Sequence, residues 1–304
     1  MPDPVSILPA ARAAILAWYG SHGRRLPFRA SSDPYAVLVS EAMAQQTQAA
    51  RAGEAWTRFM ERFPTPESLA AATPADVLRA WQGLGYNRRA INLQRAARRI
   101  VEIHDGLVPA DVRALEALPG VGPYTARAVA AIAFGQPVGA VDTNVRRVLG
   151  RIAAGDPAAI PAAELQRLAD AAVPPGRAAE WTHAVMDIGA VLCRPRQPDC
   201  ASCPARPWCG YAAGDPVGAA KRSPARNRRS PVAFPSTSRW LRGRIVDRLR
   251  SAAGGAWTPI EAPIGEHDEA AVRTALAALA AEGLIELDPR APAETGHRAR
   301  LSTS

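Results

Sequence analysis

All four cysteines of the chain fall within one short segment, Cys193-x6-Cys200-x2-Cys203-x5-Cys209. Four thiolates so close in sequence can surround one metal centre without help from distant parts of a fold. A disulfide framework would spread its cysteines along a small secreted chain, whereas this one has 304 residues and no secretory leader is expected. A thioredoxin-like dithiol would need only Cys200 and Cys203, leaving two thiols without a role. Structural zinc commonly takes two separated C-x-x-C knuckles, and here there is one. The spacing therefore favours an iron–sulfur cluster over zinc.

Two carboxylates stand where they could do chemistry. Glu41 lies in Val39-Ser40-Glu41-Ala42-Met43-Ala44-Gln45-Gln46-Thr47-Gln48, on a helix expected to begin near Tyr35. Alone, the stretch could be an exposed helical acid followed by solvated glutamines. Leu38, Val39, Ala42 and Met43 make the helix largely apolar, which predicts that Glu41 borders a buried cleft. Asp142, in Gly139-Ala140-Val141-Asp142-Thr143-Asn144-Val145-Arg146-Arg147-Val148, separates an apolar run from a helix, and its simplest reading is an N-cap. Between the two, Leu118-Pro119-Gly120-Val121-Gly122 leads into Pro123-Tyr124-Thr125-Ala126. Glycines let backbone N–H groups approach a phosphate, and a following helix terminus adds positive potential. Tight left-handed turns between helices also use glycine. In a basic helical chain, Gly120 and Gly122 read as a helix–hairpin–helix that grips a DNA backbone without reading bases.

The elements that must position these groups are helical. From Pro34 to Val191 the sequence is helix after helix, punctuated by Pro and Gly. Thr73-Pro74-Ala75-Asp76 carries a capping threonine, a proline at the first helical position and an acid at the positive end of the dipole. Asn87–His104 is amphipathic, with Ile91, Leu93, Ala97 and Ile100 inward. No period-2 strand is expected before residue 213. Gly214–Pro235 is rich in proline and arginine and reads as a basic linker (214–236). Helices over Thr237–Ala252 and Asp268–Glu282, then a strand at Leu284–Leu287, predict a small winged-helix-like α/β domain over 237–290. Residues 291–304 are expected to be a disordered tail.

Net charge is +9 and 48% of residues are hydrophobic, which favours a polyanionic partner and allows an ample core. No apolar run approaches the roughly 18 residues of a membrane span, and Val5–Gly20 reads as an amphipathic helix, so a cytoplasmic protein is expected. Lys221 is the single lysine among 37 basic residues, so a lysine Schiff base is excluded anywhere in residues 1–220.

The hairpin, an aspartate some 20 residues on, and a four-cysteine loop resemble the helix–hairpin–helix DNA glycosylase superfamily, in particular its iron–sulfur branch of endonuclease III-like and MutY-type adenine glycosylases. The resemblance runs from about Leu16 to Cys209. It implies a mainly α fold of two helical subdomains with a cluster loop at 193–209, one 4Fe-4S cluster on Cys193, Cys200, Cys203 and Cys209, and a glycosylase domain over 1–213. Bifunctional members carry a lysine at Tyr124; the tyrosine implies base release with weak or no strand nicking. The stretch from Ser40 to Thr47 is similar to the S-E-x-M-x-Q-Q-T motif of MutY-type enzymes, whose glutamate is the catalytic acid, and Trp81–Tyr86 to their W-x-G-L-G-Y motif.

Carried over to this chain, the resemblance makes Glu41 and Asp142 catalytic, with Tyr124 and Asn144 orienting the aspartate and the sugar. Gln46 and Tyr86 become wedges in the DNA, with Thr47, Gly120 and Gly122 beside it. Leu26-Pro27-Phe28-Arg29 would line the adenine pocket, with His183 where relatives have Gln or Glu. The expected reaction is hydrolytic release of adenine mispaired with 8-oxoguanine or guanine, by a monomer acting on mismatched double-stranded DNA in the nucleoid. Two other readings are a thymine-releasing T:G glycosylase and a non-catalytic iron–sulfur DNA-binding protein. The 95 residues after Cys209 do not resemble the Nudix-like domain that MutY-type enzymes commonly add.

Overall fold

The computed structural model describes residues 6–214, 233–252, 255–290 and 297–303. Eleven helices lead to the cysteine loop: α1 (Pro9–His22), α2 (Pro34–Ala44), α3 (Ala49–Arg62), α4 (Pro66–Ala71), α5 (Pro74–Ala80), α6 (Arg88–His104), α7 (Val112–Glu116), α8 (Pro123–Phe134), α9 (Thr143–Ala154), α10 (Ala162–Ala172) and α11 (Ala178–Asp187). Among the described residues no strand precedes β1 (Thr258–Ile260). The boundaries follow local chemistry. At α5, Thr73 accepts the Asp76 N–H at 3.1 Å with Pro74 at the first position, as its sequence predicts. At α4, Thr65 and Ser68 form a reciprocal capping box.

The chain divides into two compact units whose segments interleave. The first comprises residues 1–41, 110–117 and 121–226. Its core packs Ile15, Val148, Leu149, Ile152, Leu165, Trp181, Val185 and Ile188, with Cys193, Cys203 and Cys209 against its edge. After α11 a π-helical turn, Ile188–Leu192, delivers the chain to Cys193.

The second unit comprises residues 42–109, 118–120 and 227–304. Here Phe59, Leu69, Leu78, Trp81 and Ile100 are fully buried, and Phe59 meets both Phe63 and Trp81 edge-on. The C-terminal part adds helices Ser238–Arg250 and Glu269–Ala281 and a three-stranded antiparallel sheet, order β1–β3–β2, with β2 at Ile285–Leu287 and β3 at His297–Leu301. That is a winged-helix-like arrangement.

One expectation needs correction. The tail is ordered over 297–303, because β3 is the central strand: Ala299 and Leu301 are buried while Arg298 and Arg300, alternating with them, are more exposed. The C-terminal part falls in the same compact unit as 42–109, joined to it by Ala75 N–H to Ser302 O at 2.8 Å and by Arg250 Nε to Leu78 O at 2.9 Å. The linker expected at 214–236 lies largely outside the described residues; Phe234–Ser236 forms a 3-10 turn.

Candidate active site

Glu41 sits near the C-terminal end of α2, where Val37, Leu38, Val39 and Met43 are all buried, and only 8% of the glutamate itself is exposed. Burial pushes its carboxyl up from the ordinary range to about 7. A hydrogen bond with Tyr124 opposes that rise, the charge of Asp142 adds to it, and the Arg29 guanidinium opposes it. Tyr124, in the first turn of α8, is itself driven well above its ordinary value by burial and by the two carboxylates. Its hydroxyl also lies 3.8 Å from Met186 Sδ.

Asp142 does cap α9, as its simplest reading expects. Oδ1 accepts the N–H groups of Asn144 at 2.8 Å and Val145 at 2.7 Å. Its other oxygen accepts Asn144 Nδ2 at 3.0 Å, and Arg147 in turn donates to Asn144 Oδ1 at 2.7 Å and to the Cys193 and Gly189 carbonyls. The cap therefore also fixes the side-chain amide of Asn144 and, through Arg147, the approach to the cysteine loop.

Arg29 projects from the turn Pro27–Ala30 and is held by a residue that sequence reasoning missed. Asp187, fully buried at the end of α11, receives both terminal nitrogens of Arg29 (2.8 and 2.7 Å) and the Arg24 N–H and Nε (2.8 and 2.7 Å). Burial would raise the Asp187 carboxyl, but these arginine contacts hold it below the ordinary range. An acid between Met186 and Ile188 on an apolar helix was the available signal. Removing one partner of so buried a set leaves charge uncompensated, so Asp187→Ala is expected to lower unfolding stability by about 3–5 kcal/mol, read from urea midpoints at neutral pH.

His183 is not a surface histidine. Burial, with repulsion from Arg29 against a smaller opposing pull from Asp187, pushes it down to about 3, so it is neutral, with its ring 6.3 Å from that of Tyr19. Glu41, Tyr124, Asp142, Asn144, Arg29 and His183 thus all belong to the first compact unit.

The remaining predicted contacts, apart from Gly122, belong to the second unit. Gln46 and Tyr86 both adopt left-handed backbone, φ +53° and +46°, which costs a non-glycine residue on the order of 1 kcal/mol or more and tends to occur at functional sites. Arg89, also missed, secures them. One terminal nitrogen donates to the carbonyls of Ala42, Met43 and Gln45 (2.9, 3.0 and 2.6 Å). The other reaches Thr47 Oγ1 and the carbonyls of Leu84 and Gly85 (3.2, 3.1 and 3.3 Å). Gly120 is left-handed at φ +79°, and a Cβ there would stand 2.7 Å from Asn92 Cβ, so the hairpin requires glycine. Gly122 is extended and precedes Pro123 at the start of α8.

All four cysteines are free and line one cavity together with Arg151 and Tyr211. Arg151 Nη1 lies 3.3 Å from Cys193 Sγ and donates to the Arg194 carbonyl, while its guanidinium stacks on Tyr211 at 4.4 Å. Burial pushes the Cys203 thiol up to about 11 and raises Cys200 and Cys209 as well, so thiolates here call for compensating positive charge. Among the described residues no group of three or more His, Cys, Asp or Glu is arranged for a single metal ion. An all-thiol set around one cavity, with an arginine beside it, fits a multi-iron cluster, whose ligands stand farther apart than those of one tetrahedral ion.

Residues 39–175 match the HhH-GPD superfamily of base excision DNA repair proteins. An adenine DNA glycosylase of Mycobacterium tuberculosis is 44% identical over 243 residues, covering 78% of each chain. The chain belongs to the adenine DNA glycosylases. Another adenine DNA glycosylase, from Mycolicibacterium smegmatis, is 39% identical over 279 residues, 90% of this chain and 91% of its own, so the likeness reaches the C-terminal part. Among solved structures, a thermostable thymine-DNA glycosylase is similar with a TM-score of 0.63 and 30% identity, covering 66% of this chain and 94% of that one. The helix–hairpin–helix glycosylase fold is thereby established for this adenine glycosylase family member. Among its described residues no helix is long and apolar enough to cross a membrane.

Proposed function

We propose that the chain hydrolyses the N-glycosidic bond of adenine mispaired with 8-oxoguanine or guanine in double-stranded DNA, acting as a monomer on the nucleoid and without strand nicking. The observation that carries this is Glu41, a carboxyl buried in an apolar helix that keeps its proton to about pH 7. Adenine stacked in a duplex is out of reach, so it is extruded into the pocket, at a few kcal/mol of lost stacking. Gln46 and Tyr86, pre-set in left-handed backbone by Arg89, fill the vacated space, while the Gly120–Gly122 hairpin holds the phosphates.

Glu41 donates its proton to a ring nitrogen, so that the base departs neutral. The positive charge left on the sugar faces the Asp142 carboxylate, whose oxygens are oriented by three N–H donors. Glu41, now ionised, takes a proton from water as the water adds to the sugar, which restores the acid. Tyr124 hydrogen-bonds to Glu41, and with no lysine in residues 1–220 no amine is available for a covalent lyase intermediate. Neutral His183 can both donate and accept a hydrogen bond toward the base.

The four cysteines would hold one 4Fe-4S cluster, which supplies structural charge and a fixed loop rather than a chemical step. Cys200→Ser is expected to lose the visible iron–sulfur absorbance; an unchanged spectrum would refute the ligand set.

Single-turnover base release from duplexes bearing A opposite 8-oxoguanine, A opposite G, A opposite T and T opposite G, with and without alkali, tests the whole reading. Adenine release from the first two, with strand breaks only after alkali, is expected. Thymine release from T:G would instead favour the chemistry named for the similar thymine-DNA glycosylase, with His183 as the first pocket residue to change.

A further inference from the structure

Within the second compact unit, the segment Gly83–Asn92 and the helix Ser238–Arg250 enclose a groove of about 720 Å³. Six arginines line it against two acids, Asp247 and Glu282, and both acids are already paired, with Arg250 and Arg242. Arg89 is spent on carbonyl groups. Arg88, Arg239 and Arg244 are exposed and form no ion pair with any described residue.

Aromatic rings accompany them. Arg239 lies over Tyr86 at 4.0 Å and over Phe234 at 5.2 Å, and it donates to the Tyr86 hydroxyl at 2.5 Å. Phe234 is 53% exposed, a large apolar ring at the mouth of a charged groove. Arg244 stands over Trp240 at 6.0 Å. Guanidinium groups without an ion pair, interleaved with aromatic faces, suit a polymer that alternates phosphate with flat apolar rings. An acidic peptide would satisfy the charges and leave Phe234 without a use.

We propose that this groove continues the DNA interface of Tyr86 onto the C-terminal part and takes a stretch of the substrate strand beside the mispair. Arg88, Arg239 and Arg244 pair with its phosphates, and Phe234 packs on a base or sugar. The site rests on the reading that the chain acts on DNA. It assigns the C-terminal part a role through its first helix. Winged-helix domains more often use the second, yet here Glu269–Ala281 carries a single arginine, Arg273, and begins with Glu269.

The test is the salt dependence of binding, by fluorescence anisotropy on an end-labelled duplex at about 50 to 200 mM salt. For Arg88→Ser/Arg239→Ser/Arg244→Ser the slope of log affinity against log salt should shallow by about 3, near 0.9 per phosphate contact, with affinity reduced on the order of tenfold or more. Arg239→Ser alone should shallow it by about 1, and Arg273→Ser should leave it unchanged. Wild-type binding with an unaltered slope in the triple variant overturns the groove. So does an equal loss from Arg273→Ser, which would make the effect one of net charge. Groove-dependent binding of a poly-glutamate peptide, with duplex binding intact, would overturn it in favour of an acidic partner. Base release by the wild-type preparation is scored separately, so that failure of the glycosylase reading is distinguishable from failure of the groove.

Discussion

Glu41→Gln is expected to cut single-turnover adenine release by about 10³-fold or more while leaving duplex affinity nearly unchanged. General acid catalysis contributes roughly 10²–10⁴, and the same carboxyl also serves as base in the second half of the reaction. Gln keeps the shape of the side chain and a hydrogen bond to Tyr124, but it has no proton to give. The pH dependence has a definite sign. The acid must be protonated, and its carboxyl is raised to about 7, so the wild-type rate should be flat below that value and fall about tenfold per pH unit above it. Stability should fall in the same direction. A carboxyl whose folded value is raised stabilises the fold fully below its unfolded value of 4.5, and that contribution is lost as pH rises through about 7. By pH 8 keeping Glu41 ionised in its buried position costs roughly 3 kcal/mol. The amide carries no such cost, so Glu41→Gln should melt higher than wild type at pH 8. Turnover retained in the variant, or a lower melting point at that pH, would sink the assignment.

Asp142→Asn separates the two roles of one carboxylate. Asparagine is about as good an N-cap as aspartate, so α9 should persist and the melting temperature change little. The negative charge that faces the cationic sugar is gone, and electrostatic stabilisation of that kind is worth several kcal/mol, about tenfold in rate for each 1.4 kcal/mol. A fall of 10²–10⁴ in single-turnover rate is expected. There is a second signature. The charge of Asp142 helps to raise Glu41, so its removal should shift the descending limb of the pH–rate profile below 7. A near-normal rate, or an unshifted limb in a measurably active variant, would reduce Asp142 to a cap alone.

Much of this site was legible in the sequence because its signals are local. Glu41 could be placed in a buried setting from four apolar neighbours on its own helix, and Val39 and Met43 are indeed fully buried. The cysteines needed only their spacing, and the Thr73 start of α5 needed only its cap and proline. What stayed hidden depends on distance along the chain. Asp187 meets Arg24 and Arg29 across 163 and 158 residues, and no window of sequence spans that interval. Arg89 is one more arginine on an arginine-rich helix, and its importance lies in backbone carbonyls that carry no sequence signal. The strand His297–Leu301 was missed because two arginines and a histidine disguise an alternation only five residues long. His183 was placed in the pocket only through the resemblance, and its neutral state comes from burial and then from the charge of Arg29, surroundings set by the fold.

The Arg89 staple has one further consequence. Gln46 and Tyr86 lie forty positions apart, each on its own short loop and each in a backbone conformation that its side chain alone would not choose. One guanidinium holds both, so energetically they form a single hinge pin. Disturbing either loop loosens the grip on the other, and their effects on any shared property should combine non-additively. The strain in the two turns is thus met during folding rather than at each encounter with a target, and the loops arrive already shaped for it.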